Sequence, residues 1–214
     1  GDVTMTGPAG GAVVEITYQI CDVANPSNCD TATETIAITP LELEALPESF
    51  APINSLDGGS TGTVIASDLV DSTPADFGRI EIPAPVPGDY TDQATGLVVT
   101  GLTLDPATGV ITVAPDTPAG TYLVAYEICT RLAPVSCDAG VETVVVRAAP
   151  IVAVDDAPPA VNGLTGDPSV VNVLDNDTLN GTPVDPADIT ATVTTPATPV
   201  NPGDPVPALD PATG

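Results

Sequence analysis

The chain has 214 residues, with 29 acidic side chains, three arginines, no lysine and no histidine, giving a formal net charge of −26 at pH 7. Such a charge excludes nucleic acid and an anionic membrane as partners, because like charges repel. Without a histidine or lysine to serve as general base or amine nucleophile, it also excludes most enzyme chemistry, and we expect no enzyme and no catalytic residue.

Apolar residues make up 43% of the chain but aromatics only 3%, so the core must be built from Val, Ile, Leu and Ala. The 25 prolines and 19 glycines punctuate short Val/Ile/Thr runs, the pattern of an all-β sandwich or barrel. No apolar run is long enough to span a membrane, so no membrane insertion is expected.

In chain order, the first predicted strand runs from Val13 to Cys21. Alternation puts Val14, Ile16, Tyr18 and Ile20 on one face and Glu15, Thr17 and Gln19 on the other. Cys21 and Cys29 flank the polar loop "DVANPSN", after which Ile36 and Ile38 return to the same apolar face. "PLELEALPESF" (40–50) is the one helix-like stretch. Its prolines and the alternation of Leu41, Leu43 and Ala45 fit an extended linker or first strand equally well. "LDPATG" at 104–109 stands between alternating flanks and reads as a hairpin turn with a left-handed glycine exit. Tyr122, Val124, Tyr126 and Ile128 form a second inward set, Cys129 and Cys137 flank "TRLAPVS", and Val144 and Val146 follow. The last six residues, 209–214, are again "LDPATG".

Each C-x7-C pair flanks a loop between strand-like segments, so Cys21–Cys29 and Cys129–Cys137 are expected to be disulfides closing two hairpins. That implies an oxidising, extracellular or cell-surface setting. A metal site is the alternative, but this spacing is unusual for zinc and no histidine completes a ligand set.

The cysteine pairs share one offset, 129 − 21 = 108 and 137 − 29 = 108. At that offset Tyr18 falls on Tyr126, Ile20 on Ile128, Glu34 on Glu142 and Gly1 on Gly109. "INSLDGGSTGTVIASDL" (53–69) likewise lies against "VNGLTGDPSVVNVLDND" (161–177), which sets Ser67, Asp68 and Leu69 against Asp175, Asn176 and Asp177. The "LDPATG" copies differ by 209 − 104 = 105, so about three residues are lost in the second copy. The chain therefore reads as two repeats in permuted order: 40–150 a complete unit, 151–214 a front half, 1–39 a back half. Each half alone would expose an apolar face and open sheet edges. Two arrangements satisfy this. Copies of the chain may join head to tail, 151–214 of one with 1–39 of the next, a heterologous contact that builds a filament. Alternatively the chain is one period of a longer covalent array. In either case Val3, Met5, Val14, Ile16, Tyr18, Ile20, Ile36, Ile38 and Leu209 are the expected joint residues, with Leu209–Gly214 meeting Gly1–Thr6.

"GLTLDPATGVITVAPDTPAGTYLVAYEIC" (101–129) resembles the Ig-like repeats of large bacterial surface proteins, and "AVDDAPPAVNGLTGDPSVVNVLDNDT" (153–178) resembles the cadherin-like tandem repeats of bacterial adhesins. The resemblance implies Greek-key β-sandwich units, secretion, an extended array and often calcium at domain junctions. For calcium the candidates are Asp155, Asp156, Asp175, Asn176 and Asp177, since hard cations want clustered oxygens. The bland alternative is an Asx-rich turn and a solvated linker.

Two functions follow as expectations: a structural subunit of an extracellular bacterial filament, sheath or adhesin stalk, or an adhesive module recognising a glycan or a surface. The second is poorly supplied, because there is no tryptophan and only four tyrosines for a stacking platform.

Overall fold

A computed structural model describes residues 1–5, 12–86, 88–132 and 135–214. Every regular element among them is a strand, as the composition predicts. Contacts divide the chain into two compact units, Gly1–Ala148 and Ala149–Gly214.

The first unit opens with a hairpin of β1 (Ala12–Cys21) and β2 (Cys29–Ile38), which pair only with each other. The strands that follow are β3 (Leu43–Glu44), β4 (Ile53–Asn54), β5 (Gly59–Thr63), β6 (Leu69–Val70), β7 (Thr73–Pro74) and β8 (Ile80–Glu81). Then come β9 (Tyr90–Asp92), β10 (Leu102–Asp105), β11 (Val110–Val113), β12 (Gly120–Thr130) and β13 (Cys137–Arg147). A five-stranded sheet in the order β4-β13-β12-β8, with β9 also on β12, shares one apolar core with the sheets β10-β11-β5 and β3-β6-β7. This is an Ig-like β-sandwich. The two long strands dominate it: Tyr122, Val124, Tyr126 and Ile128 of β12 are at most 6% exposed. The stretch 40–50, ambiguous in sequence, is extended, and Leu41, Leu43, Ala45 and Phe50 pack against the core.

The turn at 105–109 forms as its residues dictate. Asp105 accepts N–H bonds from Ala107 (2.9 Å) at its carboxylate and from Gly109 (2.7 Å) at its carbonyl. Gly109 leaves at φ 69°, where a Cβ would also strike Thr63.

The second unit carries β14 (Ile151–Val152), β15 (Thr178–Leu179) and β16 (Thr182–Pro183) in one small sheet. Its closing turn repeats the one at 105–109. Gly214 at φ 83° donates to the Asp210 carbonyl (2.9 Å), and its own carbonyl accepts from Val173 (3.0 Å), as that of Gly109 does from Val64 (2.8 Å).

The loop residues Ala133 and Pro134, and Thr6 to Gly11 between the first residues and β1, lie outside the described residues. The expected meeting of Leu209–Gly214 with Gly1–Thr6 therefore concerns, at Thr6, a residue that is not described.

Candidate assembly interface

The β1–β2 hairpin is built like β12–β13, residue for residue. Cys21 faces Cys29, Tyr18 faces Ala32, Ile16 faces Glu34 and Val14 faces Ile36. In the complete unit Cys129 faces Cys137, Tyr126 faces Gly140, Val124 faces Glu142 and Tyr122 faces Val144. Every pair is offset by 108, so the two hairpins share register and inward face. Both disulfides join the expected cysteines, with Cα atoms 4.1 Å apart in each. Glu127 lies near Cys129 and Cys137, but their sulfurs are bonded to each other and are not metal ligands.

The environments differ completely. Val14, Ile16, Tyr18 and Ile20 are 40% to 66% exposed, whereas their counterparts on β12 are buried. Ile36 and Ile38 are half-buried; Val3 and Met5 are exposed. The apolar face of the hairpin lines a groove of about 680 Å³, to which Ile16, Tyr18, Ile20, Glu34, Ile36 and Val3 contribute. Water meets here the same residue types that fill a core one repeat later. An exposed apolar patch of this kind makes the hairpin face a candidate interaction surface.

The second unit, taken by itself, presents an unfinished core. Val173, Leu174, Ile189 and Leu209 line a groove of about 230 Å³ with Asp177 among them. In the first unit the corresponding positions, Val64, Ile65, Ile80 and Leu104, are buried beneath β12 and β13.

A polar cluster sits inside the complete unit, and the sequence reading did not single it out. Asp68 and Glu142 are wholly buried. Together with Asp138 they receive the backbone of the segment after β3. Ala45 N–H donates to Asp138 (2.8 Å), Leu46 N–H to Asp68 (2.7 Å) and Glu48 N–H to Glu142 (2.9 Å). The Tyr126 hydroxyl donates to Asp68 at 3.1 Å. Glu142 Oε1 is buried with no hydrogen-bond partner. Burial pushes the Asp68 carboxyl up to about 6 and the Glu142 carboxyl up to about 7. The neighbouring charges of Glu48 and, for Glu142, Asp68 add to this, against the lowering effect of the backbone donors. Burial, with Asp68 and Glu142 beside it, raises the Tyr126 phenol as well. The period-2 rule was the available signal. It places Glu142 on the face of Val144 and Val146, and Glu34 on the face of Ile36 and Ile38.

The hydrogen bonds also correct the repeat alignment. Val154 N–H donates to Asp177 (2.7 Å) as Leu46 N–H does to Asp68, and the Asp177 carbonyl accepts from Val184 (3.2 Å) as that of Asp68 does from Ala75 (2.8 Å). Asp68 therefore corresponds to Asp177, not to Asn176. One residue is inserted between Gly166 and Val173 relative to Gly58 and Val64. The offset is 109 from there through "DTLNGTPVD" (177–185) against "DLVDSTPAD" (68–76), and the later loss is four residues rather than three.

The five calcium candidates are not gathered into a cage. Asp177 is buried and bonded to Val154, Asn176 donates through its amide to the Asp155 carbonyl (3.3 Å), and Asp155 and Asp175 are exposed. Among the described residues no three of these carboxylates bring oxygens within 4.8 Å of one another. Calcium takes six to eight oxygens, and these carboxylates by themselves do not supply them.

No family model matches the sequence, and no curated protein matches it. Among solved structures, the human desmocollin-1 ectodomain matches over 63% of this chain, at 15% identity and a TM-score of 0.35. The match covers 26% of that ectodomain, so this chain spans about a quarter of its length. The class of the protein rests on its own strand order: an all-β chain of Ig-like sandwich repeats closed by disulfide-linked hairpins.

Proposed function

We propose that this chain is a structural repeat of an extracellular filament, sheath or stalk on a bacterial surface, extended head to tail by completion of Ig-like units between copies. The β1–β2 hairpin of one copy inserts over residues 151–214 of the next and supplies the strand pair that β12 and β13 supply within the complete unit.

One observation carries this reading. The apolar face of β1, open to solvent, repeats in register the face of β12 that is buried. Completion covers Val14, Ile16, Tyr18 and Ile20, each with about half its surface still to bury. At roughly 1.5–3 kcal/mol for a whole side chain, the four together contribute about 3–6 kcal/mol, before ordering costs and before Ile36, Ile38, Val3 and Met5 add their share. Two disulfides support the extracellular setting. Continuity of the joint comes from sheet pairing and core burial.

Sedimentation of the full chain against Ile16→Asp is the test. The wild type should form concentration-dependent oligomers, and Ile16→Asp should stay monomeric with residues 40–150 folded. A wild type that remains monomeric at all concentrations sinks completion between copies. The same strand pairs made within a longer covalent chain would then be the surviving alternative.

A further inference from the structure

Resting on the completion reading, we propose that the joint is keyed by an acid cluster assembled from two copies: Tyr18 and Glu34 of one with Asp156 and Asp177 of the next.

The complete unit is the template. There the Tyr126 hydroxyl meets Asp68, and Glu142 takes the Glu48 N–H. Tyr18 and Glu34 occupy the Tyr126 and Glu142 positions in the same hairpin register. Asp177 occupies the Asp68 position: it is already buried in its half-unit and already accepts the Val154 N–H. Asp156, two residues on, stands where Glu48 does. The key is thus divided. The acceptor carboxylate waits in the groove of one half, and the tyrosine and glutamate are presented on the open face of the other. One difference is visible: Ala32 replaces Gly140, where a Cβ would strike the tyrosine ring. The Tyr18 ring must tilt away from the sheet to clear that methyl.

The key fixes register. A slip by one residue along β2 would turn Glu34 outward and put Thr33 or Thr35 in its place, and a slip by two would leave Tyr18 and Glu34 buried against aliphatic residues. It also couples assembly to protons. On docking, Glu34 leaves water for a site faced by Asp156 and Asp177 from one copy and by Tyr18 and Asp30 from its own. None of these groups is basic. Glu142, in the equivalent site facing Glu48, Asp68 and Tyr126, has an oxygen with no partner and its carboxyl pushed up to about 7. Glu34 therefore takes up a proton as the joint closes. For a group raised in the assembled state, assembly is strongest below the free carboxylate's range and weakens as pH rises through the assembled value. With one such proton, the association constant should rise about tenfold between pH 8 and pH 6.

The experiment is sedimentation equilibrium of the full chain from pH 5.5 to 8 in 0.3 M NaCl, where general repulsion is screened. It compares wild type, Glu34→Gln, Tyr18→Phe and Glu15→Gln. Glu15 is an exposed carboxylate on the other face of β1, so its loss removes one charge without touching the key. Glu34→Gln should associate with little pH dependence, and Glu15→Gln should keep the wild-type slope. Tyr18→Phe should associate about tenfold more weakly with the slope retained. Assembly with the full slope surviving in Glu34→Gln, or with no slope in the wild type, overturns the key and leaves completion standing. Absence of assembly at every pH overturns both.

Discussion

Glu142 is a carboxylate in a site designed for neither charge nor full solvation. Its Oε2 serves the Glu48 N–H, its Oε1 has no partner, and the charges of Glu48 and Asp68 oppose its own. A carboxyl raised to about 7 in the folded state, and ordinary when unfolded, stabilises the fold fully only below the unfolded value. The contribution is lost as pH rises through about 7. Asp68, raised to about 6, acts in the same direction. The complete unit should therefore be more stable at pH 5 than at pH 8, by a few kcal/mol in total. Glu142→Gln keeps an acceptor for Glu48 N–H and places an amide donor beside the carboxylates. It should flatten the profile and raise the melting temperature at pH 8. A melting temperature of the wild type that climbs from pH 5 to 8 would show that these carboxyls are ionised at little cost. At this scale the sequence was only partly legible. Alternation could have put Glu142 and Glu34 on the inward faces. Its overriding by the usual rule that glutamates stay outside is a matter of tertiary context, namely the backbone donors of 45–48 that converge on β13. The identity of Asp177 was hidden by one inserted residue, which a fixed offset of 108 cannot absorb.

Elements were more legible. Both disulfides follow from C-x7-C between alternating strands, because antiparallel strands of equal length bring such cysteines opposite each other. The paired "LDPATG" turns form alike because Asp, Pro and Gly set the same local geometry wherever they stand. The short strands β3, β6 and β7 were not legible as separate elements, since two-residue ladders carry no periodicity. The turn between β6 and β7, with Asp71 at φ 48° and Ser72 at φ 59°, recurs between β15 and β16 at Asn180 and Gly181. Only the second copy has the Asn-Gly signal that advertises it. The disulfides close small loops, so each should contribute about 2–3 kcal/mol through the unfolded state. Cys129→Ser with Cys137→Ser should lower the unfolding free energy of the complete unit by that amount and leave it folded. Loss of less than about 0.5 kcal/mol would place the stability of the hairpin elsewhere, in Tyr126 and Ile128.

For the whole molecule, the proposed function rests on reading the chain as permuted repeats. The complete unit demonstrates what a finished core looks like. The hairpin repeats the register of β12–β13 with its apolar face exposed, and on the proposed reading it and the second unit are the two halves of another such unit. Sequence periodicity suggests that division, because the same inward residues recur at one offset. It left open whether the halves meet across copies or along a longer chain, since both make the same strand pairs. A chain of charge −26 must overcome repulsion to meet another copy, so the proposed joint is built on apolar burial and neutralised acids rather than ion pairs. The most direct measurement is a disulfide trap between two populations of the full chain. In the complete unit Arg147 lies beside Asn54 in the parallel β13–β4 pair. The equivalents are Thr39 and Asn162, both exposed in the separate halves. Thr39→Cys chains mixed with Asn162→Cys chains and gently oxidised should yield a dimer in which peptide mapping joins positions 39 and 162. Mixtures that give no such bond, while each population keeps its native disulfides, would contradict completion between copies.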